Sequence, residues 1–434
     1  MQKILLLIAS LFYFNFILAE NEIKSWQGIH ETPLSRLEQQ FAEPPVEFAN
    51  HVIWGWEGKM DKKTICNDLD SIKKKGFRAV IFEAGYKLPF KYLSEEWFKA
   101  IRTGVLEAKK RGMKVWIIDE GKYPSGFAGG KFSQERPDLR MQALVIGDTI
   151  QIKRGEVMTN HKIAPEIISA VAVSTSGAPN RTVAINNGEI SFNAGLDDWK
   201  ILLVKSDFRT AVTRAVNNPN GGKDATNSLC DYLNPVAVQQ FIDWTHEQYK
   251  KYLGKELGTT VLGFRGDEPD YAHLPWTPSI VQTFKDTKGY DPTPYLASFF
   301  TTSPTIQEQR VKADYWDVLS SLFATHFFKL QADWCAANGV AHITHLNKEH
   351  EMPACVKAEG DYFRNLSKVQ IPGVDAIWNQ IWPGTLNDFP KLASSVAHVY
   401  GKPRAFSESF AAYHISPTIP QAKFVVDHQI ARGI

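Results

Sequence analysis

The sequence predicts an α/β fold of the (β/α)8, TIM-type barrel class, lacking its eighth strand and carrying an inserted β-domain. Apolar runs alternate with amphipathic helical segments along the chain, and this alternation breaks only within residues 140–210. Successive runs end near Trp56, Glu83 and Asp119, 27 and 36 residues apart, close to the roughly 30 residues of a βαβ unit. The runs are continuous rather than alternating, which indicates parallel strands covered on both faces.

The first part of the predicted barrel occupies residues 20–139. Asp61 and Ser94 are suitable N-caps, because their short side chains accept a hydrogen bond from the first helical turn. Gly76 and Gly112 follow the same two helical segments and are expected to end them. The predicted elements are strands at 48–56, 77–85 and 113–121 and helices at 61–76 and 94–112.

Residues 140–210 contain short alternating apolar segments separated by turn residues, which predicts the inserted β-rich domain. The second part of the barrel is then expected over residues 211–434. It opens with a helix at 235–257, which Asn234 caps and Pro235 begins. Strands are expected next at 261–271, 340–347, 374–382 and 402–410, and helices at 307–339, 388–401 and 419–433.

The long helix at 307–339 carries an apolar stripe that includes Trp316, Phe323 and Phe327, and we expect these side chains in the core. Together the elements give seven strand–helix units, one strand fewer than a closed barrel needs. An open barrel would expose an unpaired apolar edge, so the expectation is a chain truncated before its eighth strand.

The charge balance argues against several classes of partner. The 434 residues include 49 basic and 47 acidic side chains, a net charge of +2. Such a balance does not indicate binding to nucleic acid or to an anionic membrane.

The N-terminus predicts secretion. One lysine precedes an apolar block that ends at Ala19, which is typical of a cleavable signal peptide over residues 1–19. A membrane anchor is the alternative, although the block is short for a spanning helix. We expect a periplasmic or extracellular protein without a membrane segment after cleavage. The cysteines show no metal-ligand spacing and are expected to be buried free thiols: Cys66, Cys230, Cys335 and Cys355.

Polar and aromatic side chains cluster at the predicted strand ends, where the active site of such a barrel lies. Carboxylates, amides and imidazoles bind sugar hydroxyls, and indoles pack on sugar rings, so this mixture predicts a carbohydrate site. The candidates are Trp54, Trp56, Glu83, Asp119, Glu120, Asp267, Glu268, His342, His345, Asn347, Asn379, Gln380, Trp382 and Glu408.

The segment VLGFRGDEPDY places Asp267 and Glu268 directly after an apolar strand. Pro269 disfavours the α region for the preceding residue, so we expect Glu268 to be extended and its carboxyl to be fixed in direction. Glu408 lies between two serines that could orient it. The competing interpretation is structural, because a carboxylate at a strand end is often a helix cap or the partner of a loop cation.

For the histidines and for Asp375, a structural role is the alternative to a functional one. His342, His345 and His350 could form a zinc site, but a His-x-x-His pair on a strand points its rings to opposite faces. A histidine that binds a sugar hydroxyl is the preferred interpretation. Asp375 is expected at the start of its strand and is interpreted as structural.

Several segments resemble glycoside hydrolase family 106, and the resemblance extends over roughly residues 45–434. The most specific part is YPSGFAGG at 123–130, and Tyr123 joins the candidate binding residues. The other segments are IWGWEGKM, YKLPFKYLSEEWF, MKVWIIDEGKYPSGFAGGKFSQERPDLR, GFRGDEPDY, GVDAIWNQ and AFSESFAAY.

The resemblance implies an α-L-rhamnosidase that acts on plant and bacterial polysaccharides with inversion at the anomeric carbon. It also implies a (β/α)8 barrel, two catalytic glutamates and, in some members, bound calcium. By position, Glu268 would be the general acid and Glu408 the general base. Members usually continue into β-sandwich domains, whereas this sequence ends at Ile434.

The leading hypothesis is therefore a secreted inverting O-glycosyl hydrolase acting on an oligosaccharide or polysaccharide, with no cofactor required by the sequence itself. A non-catalytic carbohydrate-binding barrel is the first alternative. A metal-dependent barrel hydrolase built on His342, His345 and nearby acids is the second.

Overall fold

Seven parallel strands form the sheet around which the chain is organised, in the order β1-β2-β3-β13-β15-β16-β17. The computed structural model describes residues 33–45, 48, 50–211, 213–214, 223–224, 226–271, 274–385, 387–413 and 417–434. Within them the strands are β1 His51–Trp56, β2 Ala79–Ala84, β3 Lys114–Ile118, β4 Gln142–Ile152, β5 Val157–Lys162, β6 Ile167–Ser174, β7 Arg181–Thr182, β8 Ile185–Asn186, β9 Glu189–Asn193, β10 Trp199–Phe208, β11 Thr213–Arg214, β12 Lys223–Asp224, β13 Val261–Asp267, β14 Pro275–Trp276, β15 Ala341–His345, β16 Ile371–Ala376 and β17 Phe406–Ser409.

Helices connect the parallel strands, as βαβ crossovers require. Asp61 and Ser94 each accept a hydrogen bond from the first turn of the helix that follows, which confirms both predicted caps. The described α-helices are α1 Leu34–Ala42, α2 Lys62–Lys74, α3 Glu95–Lys110, α4 Lys131–Glu135, α5 Pro235–Trp244, α6 His246–Leu253, α7 Ile280–Lys288, α8 Ile306–Phe323, α9 Lys329–Ala337, α10 Met352–Glu359, α11 Tyr362–Leu366, α12 Lys391–Val399 and α13 Ile419–Ile430.

Antiparallel strands β4 to β12 lie between β3 and β13 in the sequence, and β14, which follows β13, pairs with β4. A five-stranded sheet has the order β14-β4-β10-β6-β7, and a three-stranded sheet has the order β5-β9-β8. Trp199, Ile201 and Leu203 alternate along β10 and are buried in a cluster with Ile190 and Phe192 of β9. Leu202 and Val204, which point to the other face of β10, are buried in the main core, so both faces of this strand are covered.

The central strands of the parallel sheet are buried on both faces, whereas the edge strands β1 and β17 are partly exposed. On one face Val80, Phe82 and Val115 belong to an apolar cluster with side chains of α2 and α3. On the other face Ile81 and Ile343 belong to a smaller cluster. Successive side chains of a strand point to opposite faces, which explains why these strands read as continuous apolar runs.

The structure differs from the expected elements in two places. The helix expected at 235–257 is divided into α5 and α6 at Thr245, whose φ and ψ of −112° and −83° lie outside the helical region. The strand expected at 374–382 is β16, Ile371–Ala376, so Asp375 lies at its C-terminal end. The expectation that Asp375 begins its strand was wrong.

Other expectations concern regions or groups outside the sheet. The predicted signal peptide, residues 1–19, lies outside the described residues. None of the helices described by the structure has the length and apolar character required to cross a bilayer. The four cysteines are free thiols, and all but the half-buried Cys66 are buried.

Candidate active site

Polar residues form a layer on one face of the parallel sheet, directly above a small apolar cluster. Glu83 follows Ile81 by two residues and His345 follows Ile343 by two. The period of two along a strand therefore puts each polar side chain on the same face as the apolar one. The strand register places Asp267 beside His345, and Asp375 beside Glu408.

A cavity of about 620 Å³ opens above this layer. Its lining is rich in carboxylates, and the charge they carry is only partly balanced by Lys122 and Lys348. The acidic residues that line it are Glu83, Asp267, Glu268, Asp270, Glu349, Asp375 and Glu408.

Arg265 lies at the floor of the cavity and is 2% exposed. It precedes Asp267 by two residues on β13, and so points to the same face. Its Nη2 atom donates a hydrogen bond to Glu408 and lies 3.8 Å from a carboxylate oxygen of Asp267. A buried guanidinium needs such anionic partners, because burial of an unpaired charge is costly.

His345 is a second buried nitrogen donor beneath the cavity. Its Nε2 atom lies 3.4 Å from both the Asp267 and the Glu408 carboxylates, and its Nδ1 atom lies 3.1 Å from the Leu346 carbonyl oxygen. Burial lowers the pKa of His345, but Asp267, Glu349 and Glu408 outweigh it and raise the pKa well above its usual value. Arg265 Nη2 lies 2.9 Å from Nε2, and both nitrogens face the carboxylates of Asp267 and Glu408.

The two candidate catalytic glutamates have opposite electrostatic surroundings. Burial raises the pKa of Glu408, yet Arg265 and His345 outweigh it and hold the pKa at about 2. Burial raises the pKa of Glu268 well above its usual value; His345 opposes this effect, while Asp267 and Asp375 add to it. These surroundings favour the ionised form of Glu408 and the protonated form of Glu268.

The surroundings of Asp375, like those of Glu268, favour the protonated carboxyl group. A carboxyl oxygen of each residue and one ring nitrogen of His345 all lie within 4.8 Å of one another. Burial is the main cause that raises the pKa of Asp375 to about 7. Two carboxyl groups so close together in a buried site do not both ionise readily, so the pair retains a proton.

The backbone at Glu268 differs from the expectation. Its φ is 38°, in the left-handed region, and so the expectation that Pro269 holds Glu268 extended was wrong. The proline disfavours the right-handed α region but leaves the left-handed one open. The chain turns sharply at the end of β13, and this turn puts Glu268 on the cavity wall.

Several other predicted residues do line the cavity. Glu83 forms an ion pair of 3.0 Å with Lys122, and burial raises its pKa despite this partner. Asn347 Nδ2 donates to the Tyr123 hydroxyl at 3.2 Å. Gln380 also lines the cavity. These groups present donors and acceptors suitable for sugar hydroxyls.

Eight predicted site residues do not line the cavity, although they flank strand ends. One of them is His345, which lies beneath the carboxylates of the lining. Trp54 and Trp56 pack against Phe82 at ring-centroid distances of 5.5 and 5.0 Å, so both indoles belong to the core rather than to a sugar platform. Asn379 and Trp382 lie beside the exposed Trp378, which lines the cavity in their place.

The other three are buried polar residues. Asp119 accepts a hydrogen bond from Ser125 Oγ at 2.7 Å. Glu120 accepts from the backbone N–H groups of Gly121, Ala128 and Gly129 and thereby orders the 121–130 loop. His342 is 1% exposed and burial lowers its pKa to about 4, which is the property of a neutral core imidazole. These three residues support the structure around the site but do not line the cavity.

The main residues missed from the sequence are Arg265, Glu349 and Asp375. An arginine inside an apolar strand, two positions before an acid, was a signal for Arg265. Glu349 lies in a loop and accepts from the backbone N–H groups of Leu346 and Asp375 at 3.0 and 3.2 Å. No pattern in the sequence marks that role.

Two groups of described residues each bring three metal-ligating atoms within 4.8 Å: Asp267, His345 and Glu408, and Glu268, His345 and Asp375. Calcium prefers six to eight oxygen ligands. Each group supplies two carboxylates and one imidazole, His345, and Arg265 lies against the first group. These groups therefore do not fit calcium, and no catalytic step below passes through a metal.

Comparison with known proteins identifies the family. The family model for alpha-L-rhamnosidases, glycoside hydrolase family 106, matches residues 162–434.

The chain belongs to glycoside hydrolase family 106.

The match confirms the resemblance found in the sequence, and the family is one of O-glycosyl hydrolases. A solved rhamnosidase from Novosphingobium sp. PP1Y has the same fold, with a TM-score of 0.68 at 15% identity. That match covers 93% of this chain and 56% of the other.

A curated relative from Formosa agariphila, named "Putative beta-glucuronidase", is 23% identical over 458 aligned positions. The alignment includes 92% of this chain but only 37% of the relative. The chain thus spans about a third of the length of that relative and about half of the solved rhamnosidase.

Proposed function

We propose that this protein is a secreted, inverting α-L-rhamnosidase that removes rhamnose from side chains of complex polysaccharides. In this proposal Glu268 is the general acid and Glu408 the general base. The observation that carries the acid–base assignment is that both glutamates line one cavity and have opposite electrostatic surroundings, because glycosidases need one protonated and one ionised carboxyl group. Inversion is proposed from the family.

The first step is proton donation to the leaving group. Glu268 holds a proton at neutral pH and gives it to the glycosidic oxygen as the bond to the anomeric carbon breaks. Asp375 keeps that proton available, since ionisation of one carboxyl group disfavours ionisation of the other. Asp267 and Asn347 line the same wall and are proposed to bind sugar hydroxyls.

The second step is attack by water from the opposite face of the sugar. Glu408 accepts a proton from that water as its oxygen bonds to the anomeric carbon. Arg265 and His345 keep Glu408 ionised, at some expense of its basicity, and fix the direction of its carboxylate. Arg265 and His345 are thus positioning residues for the base.

The wider architecture is part of the same proposal. We take the seven-stranded sheet as belonging to a (β/α)8 barrel, with residues 140–210 as an inserted domain and residues 1–19 as a secretory signal. Fractionation of expressing cells, with N-terminal sequencing of the mature protein, tests the secretion. A chain retained uncleaved in the cytoplasm would contradict it.

The activity is tested on the full-length protein with nitrophenyl glycosides, including α-L-rhamnoside and β-D-glucuronide. Proton NMR of the first-formed sugar gives the stereochemistry. We expect hydrolysis of the rhamnoside with initial release of β-L-rhamnose. Binding without turnover would favour the non-catalytic carbohydrate-binding alternative, and initial release of the α-anomer would refute inversion. Activity retained after exhaustive chelation would count against the metal-dependent hydrolase.

A further inference from the structure

A second cavity, of about 430 Å³, adjoins the first. The two cavities share Asp270 and Lys348 on their walls, so a ligand can extend from one into the other. The second cavity also has aromatic and basic walls: Phe299, Lys312, Trp316 and Lys357.

Trp316 gives this cavity a surface suited to a sugar ring. The sequence placed Trp316 in the core with Phe323 and Phe327, and those two are indeed buried. Trp316 is only partly buried: it packs against the core and also faces the second cavity. An indole in that position can pack against the C–H face of a sugar.

The charge of the second cavity is opposite to that of the first. Lys312, Lys348 and Lys357 line it, against one carboxylate, Asp270. Among the described residues none of the three lysines forms an ion pair with a carboxylate. Burial and the nearby Lys357 lower the pKa of Lys312, as expected where an ammonium group lacks an anion.

The second cavity lies on the side of the general acid. Its walls come from the chain after β13, from the loop and helix after β15, and from α8. Glu268 immediately follows β13, whereas Glu408 is on β17, at the far end of the sheet. A general acid protonates the oxygen of the leaving group, so the leaving sugar extends toward the second cavity.

We propose that the second cavity is a leaving-group subsite for an anionic sugar, which carries a carboxylate or a sulfate ester. This inference rests on the proposed function, since it assigns the leaving group by the position of Glu268. The lysines bind the anionic group and Trp316 stacks on the ring. The first cavity, with its excess of carboxylates, then holds the neutral terminal sugar.

The test uses the full-length protein and three rhamnosyl disaccharides, in which the leaving sugar is glucose, glucuronic acid or glucose 6-sulfate. The variants are Lys312→Met and Lys357→Met, which keep the aliphatic length and remove the charge. Lys250→Met, on the exposed face of α6, is the matched control. The quantity compared is the ratio of kcat/KM for each anionic substrate to that for the neutral one.

We expect this ratio to fall about tenfold in each cavity variant, the size of one lost charge-assisted contact, and to stay constant in the control. A fall for the uronate alone, or for the sulfate alone, identifies the anion. Unchanged ratios in both cavity variants would overturn the inference while leaving the proposed function intact. A wild-type protein that hydrolyses no rhamnoside at all would instead refute the proposed function.

Discussion

Replacement of Arg265 by methionine tests whether this buried cation sets the ionisation of Glu408. The pKa of Glu408 is about 2, against a usual value of 4.5. The difference of about 2.5 units corresponds to about 3 kcal/mol, at 1.36 kcal/mol per unit. With Arg265 removed, burial is opposed by His345 alone, and we expect the pKa of Glu408 to return to 4.5 or above.

The assay is the pH dependence of kcat/KM, whose acidic limb reports the base of the free enzyme. The wild type should show no acidic limb down to about pH 4, whereas Arg265→Met should show one between about pH 4 and 6. Arg265→Lys keeps the charge and should behave more like the wild type. A folded Arg265→Met enzyme with a flat profile over this range would refute the assignment.

Stability gives a second readout of the same substitution. A depressed pKa stabilises the folded state above the unfolded-state pKa of 4.5, and that stabilisation is lost as pH falls toward 2. In urea titrations at pH 7, the free energy of unfolding of Arg265→Met should therefore be several kcal/mol lower than that of the wild type. This is the range expected when a buried ion pair is broken. This difference in the free energy of unfolding should be smaller at pH 3.5. A difference that does not change with pH would show that the variant loses only packing interactions.

Three further outcomes follow from the structure. Glu268→Gln should lower kcat about 10²- to 10⁴-fold on a substrate with a sugar leaving group and much less on a nitrophenyl glycoside, which needs little acid assistance; equal losses on both would contradict its role as proton donor. Glu120→Gln should lower the free energy of unfolding by about 2–3 kcal/mol in urea titration, because an amide cannot accept from all three backbone N–H groups of the 121–130 loop; a variant as stable as the wild type would show that the carboxylate does not order this loop. Gly263→Ala should destabilise the fold by at least about 3 kcal/mol, since a Cβ there would lie 1.9 Å from the Ala341 carbonyl oxygen between β13 and β15; a normal thermal transition would contradict the close pairing.

The sequence was sufficient to predict the parallel strands and their connecting helices. Strands buried on both faces leave long apolar runs, and caps such as Asp61 and Ser94 mark where helices begin. The first and last residues of each strand were harder to predict, because an apolar run can continue past the last hydrogen-bonded residue. For β16 this shifted the expected strand by a few residues, enough to move Asp375 from the predicted start of the strand to its actual C-terminal end.

The candidate site was predicted where a carboxylate directly follows an apolar strand, as at Asp267, Glu268 and Glu408. Glu120 satisfied the same rule and Trp56 also ends its strand, yet both side chains turn inward, because a position at a strand end does not fix the partner of the side chain. Arg265 shows the converse limit. Its role depends on Glu408, 143 residues later, which becomes its neighbour only when the sheet assembles.

The left-handed backbone at Glu268 also bears on how such a protein can evolve. That conformation costs a non-glycine residue roughly 1–2 kcal/mol, and the carboxyl group it holds lies half-buried beside another. Glycine at this position would relieve both costs and give a more stable chain without a proton donor. Selection for stability alone would therefore remove this glutamate, and a stabilised, inactive relative with glycine at this turn is an accessible evolutionary outcome.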